Sequence, residues 1–207
     1  METQSKIIVL GISSSPRVDG NTELLLKEAM KGAEDEGAVT EIVRIRNMSF
    51  SPCHSCGYCE KHGECHLKDD FQSLMVKMLR ADILFFATPI YFMSVCAWGK
   101  MAIDRCQVLW TRKYKLNLEV RDKTKKWGGL VIAVGGSRSV KMFDSIRLTM
   151  KYFFDVLEIN ETEEIFFNQV DERGVIKGHP HALEEAYQKA RLLVRLIAQN
   201  RGFTKPS

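Results

Sequence analysis

Five short apolar runs, separated by stretches with helical periodicity, form the main pattern of the chain. The runs cover residues 6–12, 39–45, 82–88 and 128–134, with a weaker run at 163–168. A short and almost uninterrupted apolar run is typical of a strand that is buried on both faces. The pattern therefore predicts five strands, the first of which suits burial on both faces of a sheet.

Three helices are predicted from apolar residues spaced three and four positions apart. The first follows Asp69 and Asp70, which are suited to cap a helix. The apolar stripes are Phe71, Leu74, Met75, Met78 and Leu79; Phe143, Ile146, Met150, Phe154 and Leu157; and Leu183, Ala186, Tyr187, Ala190, Val194 and Ile197. Strands alternating with helices predict an α/β fold, with right-handed crossovers and helices on both faces of a parallel sheet. We expect a flavodoxin-like, doubly wound, five-stranded sheet in the order 2-1-3-4-5.

Composition narrows the class of protein. A chain of 207 residues with 45% hydrophobic content suits a single domain, here residues 1–207, with a cysteine-rich loop inserted at 48–68 after strand 2. The 30 basic and 26 acidic residues are scattered, unlike the basic face of a nucleic-acid binder. Since the start shows no leader pattern and no segment reaches membrane-spanning length, we expect a cytoplasmic protein with reduced cysteines and no membrane partner.

Polar residues follow the first predicted strand in a first loop, residues 13–22, before a helix opens at Glu23. The loop combines serines, an arginine, a glycine and capping residues. Backbone amides and the dipole of a helix N-terminus favour a phosphate monoester at such a place. The glycine and lysine spacings of nucleotide-binding loops are missing. A polar turn with a good cap is the alternative interpretation.

Two further loops follow strands three and four. The second loop, residues 87–95, is expected to be an extended, proline-stiffened turn that carries Tyr91 and Phe92 away from the core, against a flat heteroaromatic ring. Alternatively, both aromatics pack under a neighbouring loop. The third loop, residues 135–139, begins with two glycines that allow close approach of a ligand or simply form a turn. Ligands of such sheets bind beyond the carboxyl ends of the strands, where all three loops are predicted to meet.

The residues of these loops, together with the stretch from Gly99 to Arg105, resemble the NADPH-dependent FMN reductase superfamily from about residue 6 to about residue 157. The resemblance implies that FMN is bound. Its phosphate would be held by Ser13, Ser15, Arg17, Asn21 and Thr22. Its ring and ribityl chain would be lined by Pro89, Ile90, Tyr91, Phe92 and Ser94. The third loop departs from the family pattern, because relatives often carry a second glycine pair at 137–140; Gly135, Gly136 and Ser137 are its expected contacts.

Four cysteines lie within thirteen residues of the cysteine loop, residues 48–68. They are Cys53, Cys56, Cys59 and Cys65, separated by two, two and five residues. Two successive two-residue gaps place three thiolates around a small centre, as in ferredoxin-type loops, and the longer gap lets the fourth return to it. The motif resembles the iron-sulfur flavoproteins of the same superfamily, which implies a 4Fe-4S cluster. Zinc is an alternative because His54, His62 and His66 lie nearby, although zinc ligands usually come in pairs with a longer spacer. The third possibility is that the four thiols bind nothing.

The remaining polar residues are assigned simpler roles. We expect Cys96 and Cys106 to be buried small side chains, and His179 and His181 to lie in an exposed turn before the last helix. The basic run from Arg112 to Lys126 is interpreted as a solvated loop, with docking of an acidic electron carrier as a further hypothesis.

The expected function is electron transfer between a 4Fe-4S cluster, FMN and an unidentified acceptor, in an FMN-dependent oxidoreductase supplied by a ferredoxin-like donor. The resemblance also implies a homodimer or homotetramer. One alternative is an NAD(P)H-dependent FMN or quinone reductase whose cysteine loop holds zinc or nothing. The other is a non-catalytic flavodoxin-like carrier or redox sensor.

Overall fold

Five parallel strands form the centre of the molecule, in a computed structural model that describes residues 6–202. Their bounds are β1 Ile8–Ser13, β2 Val39–Arg44, β3 Ile83–Tyr91, β5 Gly128–Val134 and β6 Glu161–Phe167, and they lie in the order β2-β1-β3-β5-β6. This is the order 2-1-3-4-5 expected from the sequence. The first five residues, on which the absence of a leader partly rests, lie outside the described range.

Two residues form an additional strand that the sequence pattern does not predict. This strand, β4 (Ser94–Val95), pairs antiparallel with the end of β3, so that Ile90 is opposite Val95 and Tyr91 is opposite Ser94. The second loop is therefore a tight hairpin, and the expectation of an extended turn is wrong. The turn residues Phe92 and Met93 both have positive φ, at 49° and 60°. Two-residue hairpin loops of this kind match the natural twist of paired strands.

Helices cover both faces of the sheet. They are α1 Asn21–Asp35, α2 Tyr58–His62, α3 Asp70–Arg80, α4 Ala97–Arg105, α5 Gln107–Trp110, α6 Met142–Val156 and α7 Ala182–Asn200; a π-helical turn at Thr111–Lys115 continues α5, and short 3-10 turns occur at Ile45–Asn47 and Val175–Gly178. As predicted, Asp69 caps α3, where its carboxylate accepts a hydrogen bond from the Phe71 amide at 3.3 Å. Among residues 6–202, no helix has the length and hydropathy needed to cross a membrane.

Alternate residues of each central strand enter two separate apolar cores. Val9 and Phe85 pack beneath α1 and α7, whereas Leu10 and Phe86 pack against α3, α4 and α6. This division follows from the period of two in a strand. Burial on both faces explains why the central strands β1, β3 and β5 read as continuous apolar runs.

In the basic run, Lys115, Lys123, Lys125 and Lys126 are exposed as expected, whereas Lys113 and Arg121 are largely shielded from solvent. All five of its lysines are ion-paired: Lys113 with Asp155 and Glu158, Lys115 with Glu60, Lys123 with Glu158, Lys125 with Asp122, and Lys126 with Glu161. Arg121 is buried, lies 4.5 Å from the centre of the Trp127 ring, and donates to the Met78 carbonyl. Burial lowers the pKa of Arg121 to about 10. The interpretation of Arg121 as part of a solvated loop is therefore wrong.

Candidate functional site

The first loop places three buried serines at the carboxyl end of β1. The Ser14 hydroxyl donates to the Ala87 carbonyl at 2.9 Å, and the Ser15 hydroxyl accepts a hydrogen bond from the Arg17 amide at 3.2 Å. Within residues 6–202, however, the fully buried Ser13 hydroxyl has no hydrogen-bond partner. Because an unpaired buried hydroxyl is costly, Ser13 suits a polar group that a ligand supplies.

The amino end of α1 is also suited to an anion. Its cap residue, Gly20, has no side chain with which to bind the amides of the first turn. Such amides, together with the helix dipole, favour a phosphate group. Thr22 is buried in the same turn. The geometry of this turn is therefore compatible with the predicted phosphate site.

Two other predicted phosphate contacts bind the segment before α7 in this structure. The Arg17 guanidinium donates to the Asp171 carbonyl at 3.1 Å. The Asn21 side chain donates to the Glu172 carbonyl at 2.8 Å and accepts from the Gly174 amide at 2.9 Å. Asn21 thus connects the first loop to residues 172–174. The sequence did not indicate that this segment lies beside the predicted phosphate site.

The second and third loops meet the first at one edge of the sheet. Because β1, β3 and β5 are neighbouring parallel strands, their carboxyl ends lie side by side. The Thr88 hydroxyl accepts from the Cys96 amide at 3.2 Å, and the Cys96 thiol donates to the Ser14 carbonyl at 3.1 Å. A Cβ atom on Gly135 would lie 3.3 Å from Cβ of Ile90. The structure therefore brings the three predicted loops together.

The predicted contacts differ in exposure. Pro89, Ile90 and Ser94 are half-buried, Tyr91 is exposed, and Phe92 is completely exposed at the tip of the hairpin. Gly135 is buried, whereas Gly136 and Ser137 are exposed. Because Phe92 is fully exposed, the alternative that it packs under a neighbouring loop is wrong.

A buried ion cluster supports the first loop and was missed by sequence reasoning. The Glu23 side chain is 1% exposed and binds Arg44 at 2.5 Å and Arg46 at 2.8 Å. Burial opposes ionisation, but the hydrogen bonds from Arg46 and Arg44 outweigh it and hold the pKa of Glu23 below its usual value. Arg46 also donates to the Ser15 carbonyl at 3.3 Å. The cluster therefore ties the end of β2 to the first loop.

The four cysteines of the cysteine loop line one cavity of about 110 Å³. Cys53 and Cys56 are exposed and Cys59 and Cys65 are half-buried, and all four are free thiols. Gly57 and Gly63 adopt left-handed conformations, with φ of 73° and 67°, at the two ends of α2. Glycine has no steric penalty there, which lets the backbone curl around the cavity.

Polar side chains surround the sulfur atoms. Cys59 Sγ lies 3.6 Å from the Thr111 hydroxyl, and Cys56 Sγ lies 3.3 Å from Nδ1 of His66. The Arg105 guanidinium lies 3.6 Å from Cys65 Sγ. Hydrogen bonds to ligand sulfurs are typical of iron-sulfur sites, where they adjust the reduction potential.

Four thiols lining one cavity fit an iron-sulfur cluster, and four thiolates also make up one type of structural zinc site. All four candidate ligands are thiols, the ligand type that such clusters use. Between Lys6 and Gly202, no three His, Cys, Asp or Glu side chains lie close enough to hold one ion. The type of the four donors therefore matches both groups, and the choice between them comes from metal analysis.

Helix α4 connects the two regions. Its cap residue, Cys96, contacts the first loop, and its last residue, Arg105, contacts the cysteine loop. Nine residues of α-helix span about 14 Å. The remaining predictions nearby are confirmed: Cys96 and Cys106 are buried, and His179 and His181 are exposed before α7.

Comparison with known proteins agrees with the family that the sequence motifs resemble. The sequence model described as NADPH-dependent FMN reductase matches residues 7–161. An iron-sulfur flavoprotein of Methanocaldococcus jannaschii is 34% identical over 145 residues, which cover 70% of each chain. An iron-sulfur flavoprotein of Archaeoglobus fulgidus is 40% identical over 131 residues, 63% of each chain.

The same fold occurs in an NAD(P)H:quinone oxidoreductase from Methanothermobacter marburgensis. The two structures superpose with a TM-score of 0.65 at 16% sequence identity, over 91% of this chain and 98% of the other. At this level of identity the likeness concerns the fold alone.

Proposed function

Because the chain belongs to the NADPH-dependent FMN reductase family, and within it to the iron-sulfur flavoprotein branch, we propose that it transfers electrons between an iron-sulfur cluster, FMN and a separate acceptor. The family and the names of the relatives support FMN and an iron-sulfur cluster as its cofactors. The proposal rests on one observation. Three loops suited to FMN and a cavity lined by four cysteines lie at opposite ends of the same helix, α4.

The first loop would hold the phosphate of FMN. Ser13 brings an unpaired hydroxyl, Ser15 and Thr22 bring buried hydroxyls, and α1 brings uncapped amides. Arg17 and Asn21 would hold the loop closed against residues 171–174, and Arg17 would neutralise negative charge at its rim.

The second and third loops would enclose the flavin ring and ribityl chain. Pro89, Ile90 and Ser94 would contribute mainly backbone groups, and Tyr91 would contribute an aromatic face. Gly135 and Gly136 would let the backbone approach, with Ser137 at the rim.

Cys53, Cys56, Cys59 and Cys65 would hold the 4Fe-4S cluster, with Arg105 and Thr111 donating to two of the sulfurs. When bound, the cluster exchanges single electrons and FMN exchanges one or two, which allows electrons from a one-electron donor to accumulate for a two-electron acceptor. The protein contributes the spacing, the exclusion of water and the charge around both sites.

The nature of the donor belongs to the same proposal. A ferredoxin-like protein would supply single electrons at the cysteine loop, whose first two cysteines are exposed. A cytoplasmic location is proposed because thiols that ligate iron must stay reduced.

A homodimer or homotetramer is also proposed. An aromatic groove of about 490 Å³ lies between α5 and α6, and its exposed side chains include Trp110, Tyr114 and Tyr152. Exposed apolar patches of this kind mark contact surfaces. Sedimentation of the purified chain as a monomer at micromolar concentration would contradict this part of the proposal.

The cluster is tested by anaerobic purification followed by iron, sulfide, zinc and flavin analysis. We expect Cys59→Ala to abolish the visible cluster band and the low-temperature paramagnetic signal while FMN stays bound, because the flavin loops are separate segments. Cys106→Ala is the matched control, because its thiol is buried and does not line the cysteine cavity.

Three outcomes would contradict the proposal in different ways. Wild-type protein that contains no iron or acid-labile sulfide after reconstitution would remove the cluster. Tightly bound zinc in its place would favour the zinc alternative. Rapid steady-state turnover with NAD(P)H, without a protein donor, would favour a pyridine-nucleotide-dependent reductase.

A further inference from the structure

Arg105, the last residue of α4, is buried beside the cysteine loop with 2% of its surface exposed. A buried guanidinium is costly unless its donors and charge are satisfied. Asp69 supplies the opposite charge, with its two carboxylate oxygens 2.6 Å from Nη1 and 3.0 Å from Nη2. The Ser51 carbonyl accepts from Nη1 at 2.8 Å, and the Phe71 ring centre lies 4.8 Å from the guanidinium carbon.

These contacts hold the two ends of the cysteine loop together. Ser51 lies before the four cysteines and Asp69 lies after them, and the Ser51 amide also donates to the Asp69 carboxylate at 3.2 Å. Burial opposes ionisation of Asp69, but the hydrogen bond from Arg105 and those from the Ser51 and Phe71 amides hold its pKa below the usual value. The pair therefore stays charged at neutral pH.

Arg105 makes one further contact that is not needed to hold the two ends of the cysteine loop together. Nη2 also lies 3.6 Å from Cys65 Sγ, a separation that suits the larger sulfur atom. A planar guanidinium can bind a carboxylate with both terminal nitrogens while one of them also faces a sulfur. The single ammonium of a lysine cannot reproduce this arrangement.

We propose that Arg105 positions Cys65 as the fourth cluster ligand. Its hydrogen bond to the Cys65 sulfur and its buried positive charge would raise the reduction potential of the cluster. The inference rests on the proposed function, because it requires a cluster in the cysteine cavity. Reduction adds one electron to the cluster and makes it more negative. A hydrogen bond to a ligand sulfur and a nearby positive charge stabilise that state, the more so in a site of low dielectric constant. Arg105 keeps its proton throughout.

The test uses the full chain, purified and reconstituted anaerobically. Arg105→Gln removes the positive charge and most of the guanidinium donors. Arg105→Lys keeps the positive charge but not the planar pair of donors. Lys115→Gln is the matched control: it removes one positive charge close to the cysteine loop, where Lys115 pairs with Glu60 at 2.5 Å, but Lys115 contacts no ligand sulfur. The cluster midpoint potential is measured by titration with dithionite, followed by low-temperature paramagnetic resonance. Iron, sulfide and FMN per chain are measured on the same samples.

We expect the potential to shift to more negative values in Arg105→Gln, to shift less in Arg105→Lys, and to stay at the wild-type value in Lys115→Gln. FMN content and the flavin potential should not change. If Arg105 only held the two ends of the cysteine loop together, its substitution would lower the iron content and leave the potential of the remaining clusters unaltered. A wild-type potential in Arg105→Gln would therefore overturn the inference.

If Arg105→Gln fails to fold or to hold iron, Arg105→Lys decides the question, and a wild-type potential in that variant overturns the inference. Failure of the proposed function gives a different result. In that case the wild-type chain itself holds no iron or sulfide after reconstitution, whereas failure of this inference alone leaves a normal wild-type cluster.

Discussion

Replacing Glu23 by glutamine should destabilise the fold and loosen the first loop. The substitution keeps the size of the side chain but removes the charge that lies between Arg44 and Arg46. Removing one partner of a buried ion pair costs about 3–5 kcal/mol, because a buried charge is left without compensation. Arg44 is 31% exposed and can regain water, so we expect the lower end, about 3 kcal/mol. For a chain of this size, that corresponds to a fall of about 6–12 °C in melting temperature.

The same variant should respond differently to acid. The pKa of Glu23 is lowered in the folded state, so its contribution to stability is present above the usual value of 4.5 and is lost as the pH falls through the folded pKa. We expect the stability of Glu23→Gln to depend less on pH below 4.5 than that of the wild type. Because Arg46 also binds the Ser15 carbonyl, FMN should bind more weakly to the variant.

Thermal unfolding followed by circular dichroism, with FMN titration by fluorescence, measures these effects. Glu28→Gln is the matched control on the same helix, since Glu28 lies 3.7 Å from the exposed Lys31. An exposed pair of this kind is worth about 0–1 kcal/mol. Equal melting temperatures for the two variants would refute the reasoning.

Two further predictions concern the packing of the helices and the phosphate site. Gly32→Ala should lower the free energy of unfolding by about 1–3 kcal/mol, because its Cβ would lie 2.3 Å from the Tyr187 carbonyl oxygen where α1 meets α7; urea unfolding measures this. The double substitution Ser15→Ala with Arg17→Ala should weaken FMN binding by at least about 100-fold, since each hydrogen bond to a charged group contributes about 1.5–3 kcal/mol, whereas riboflavin, which lacks the phosphate, should bind nearly as before.

Both predictions have internal controls. Gly178→Ala meets no atom within 4 Å, so it should change stability by no more than about 0.5 kcal/mol. An unaltered unfolding midpoint in Gly32→Ala would contradict the close approach of the two helices. Equal losses of FMN and riboflavin affinity in the double variant would show that the first loop does not recognise the phosphate.

The central strands β1, β3 and β5 could be predicted because burial on both faces of a parallel sheet leaves a clear apolar signal, whereas β2 and β6 lie at the edges and are only partly buried. The run at 128–134 coincides with β5, and the run at 39–45 differs from β2 by one residue. The hairpin at β4 could not be predicted in this way. Its two turn residues, Phe92 and Met93, have positive φ without the glycine or asparagine that usually signals such a turn.

For the chemical sites, too, the sequence predicted the features that are compact along the chain and missed those that depend on distant residues. The four cysteines could be recognised because their spacing is compact within the sequence. The partners of Glu23 and Arg105, by contrast, are distant in sequence, and nothing in the local pattern distinguishes a buried charge from an exposed one. In the sequence, Arg105 belongs only to a stretch that resembles the family, and Arg121 only to a basic run. Their roles follow from tertiary packing, which periodicity does not encode.

The helical geometry of α4 couples the distance between the two loops to their orientation. An inserted residue would lengthen the helix by about 1.5 Å and also rotate its end by about 100°. That rotation would turn Arg105 away from Asp69 and Cys65 while Cys96 stayed in contact with Ser14. The separation can therefore change without loss of these contacts only in steps close to a whole turn, about 5.4 Å. For the proposed electron transfer between the two loops, a step of that size is too coarse for gradual adjustment of a rate that falls steeply with distance, and changes in the loops themselves are the finer means.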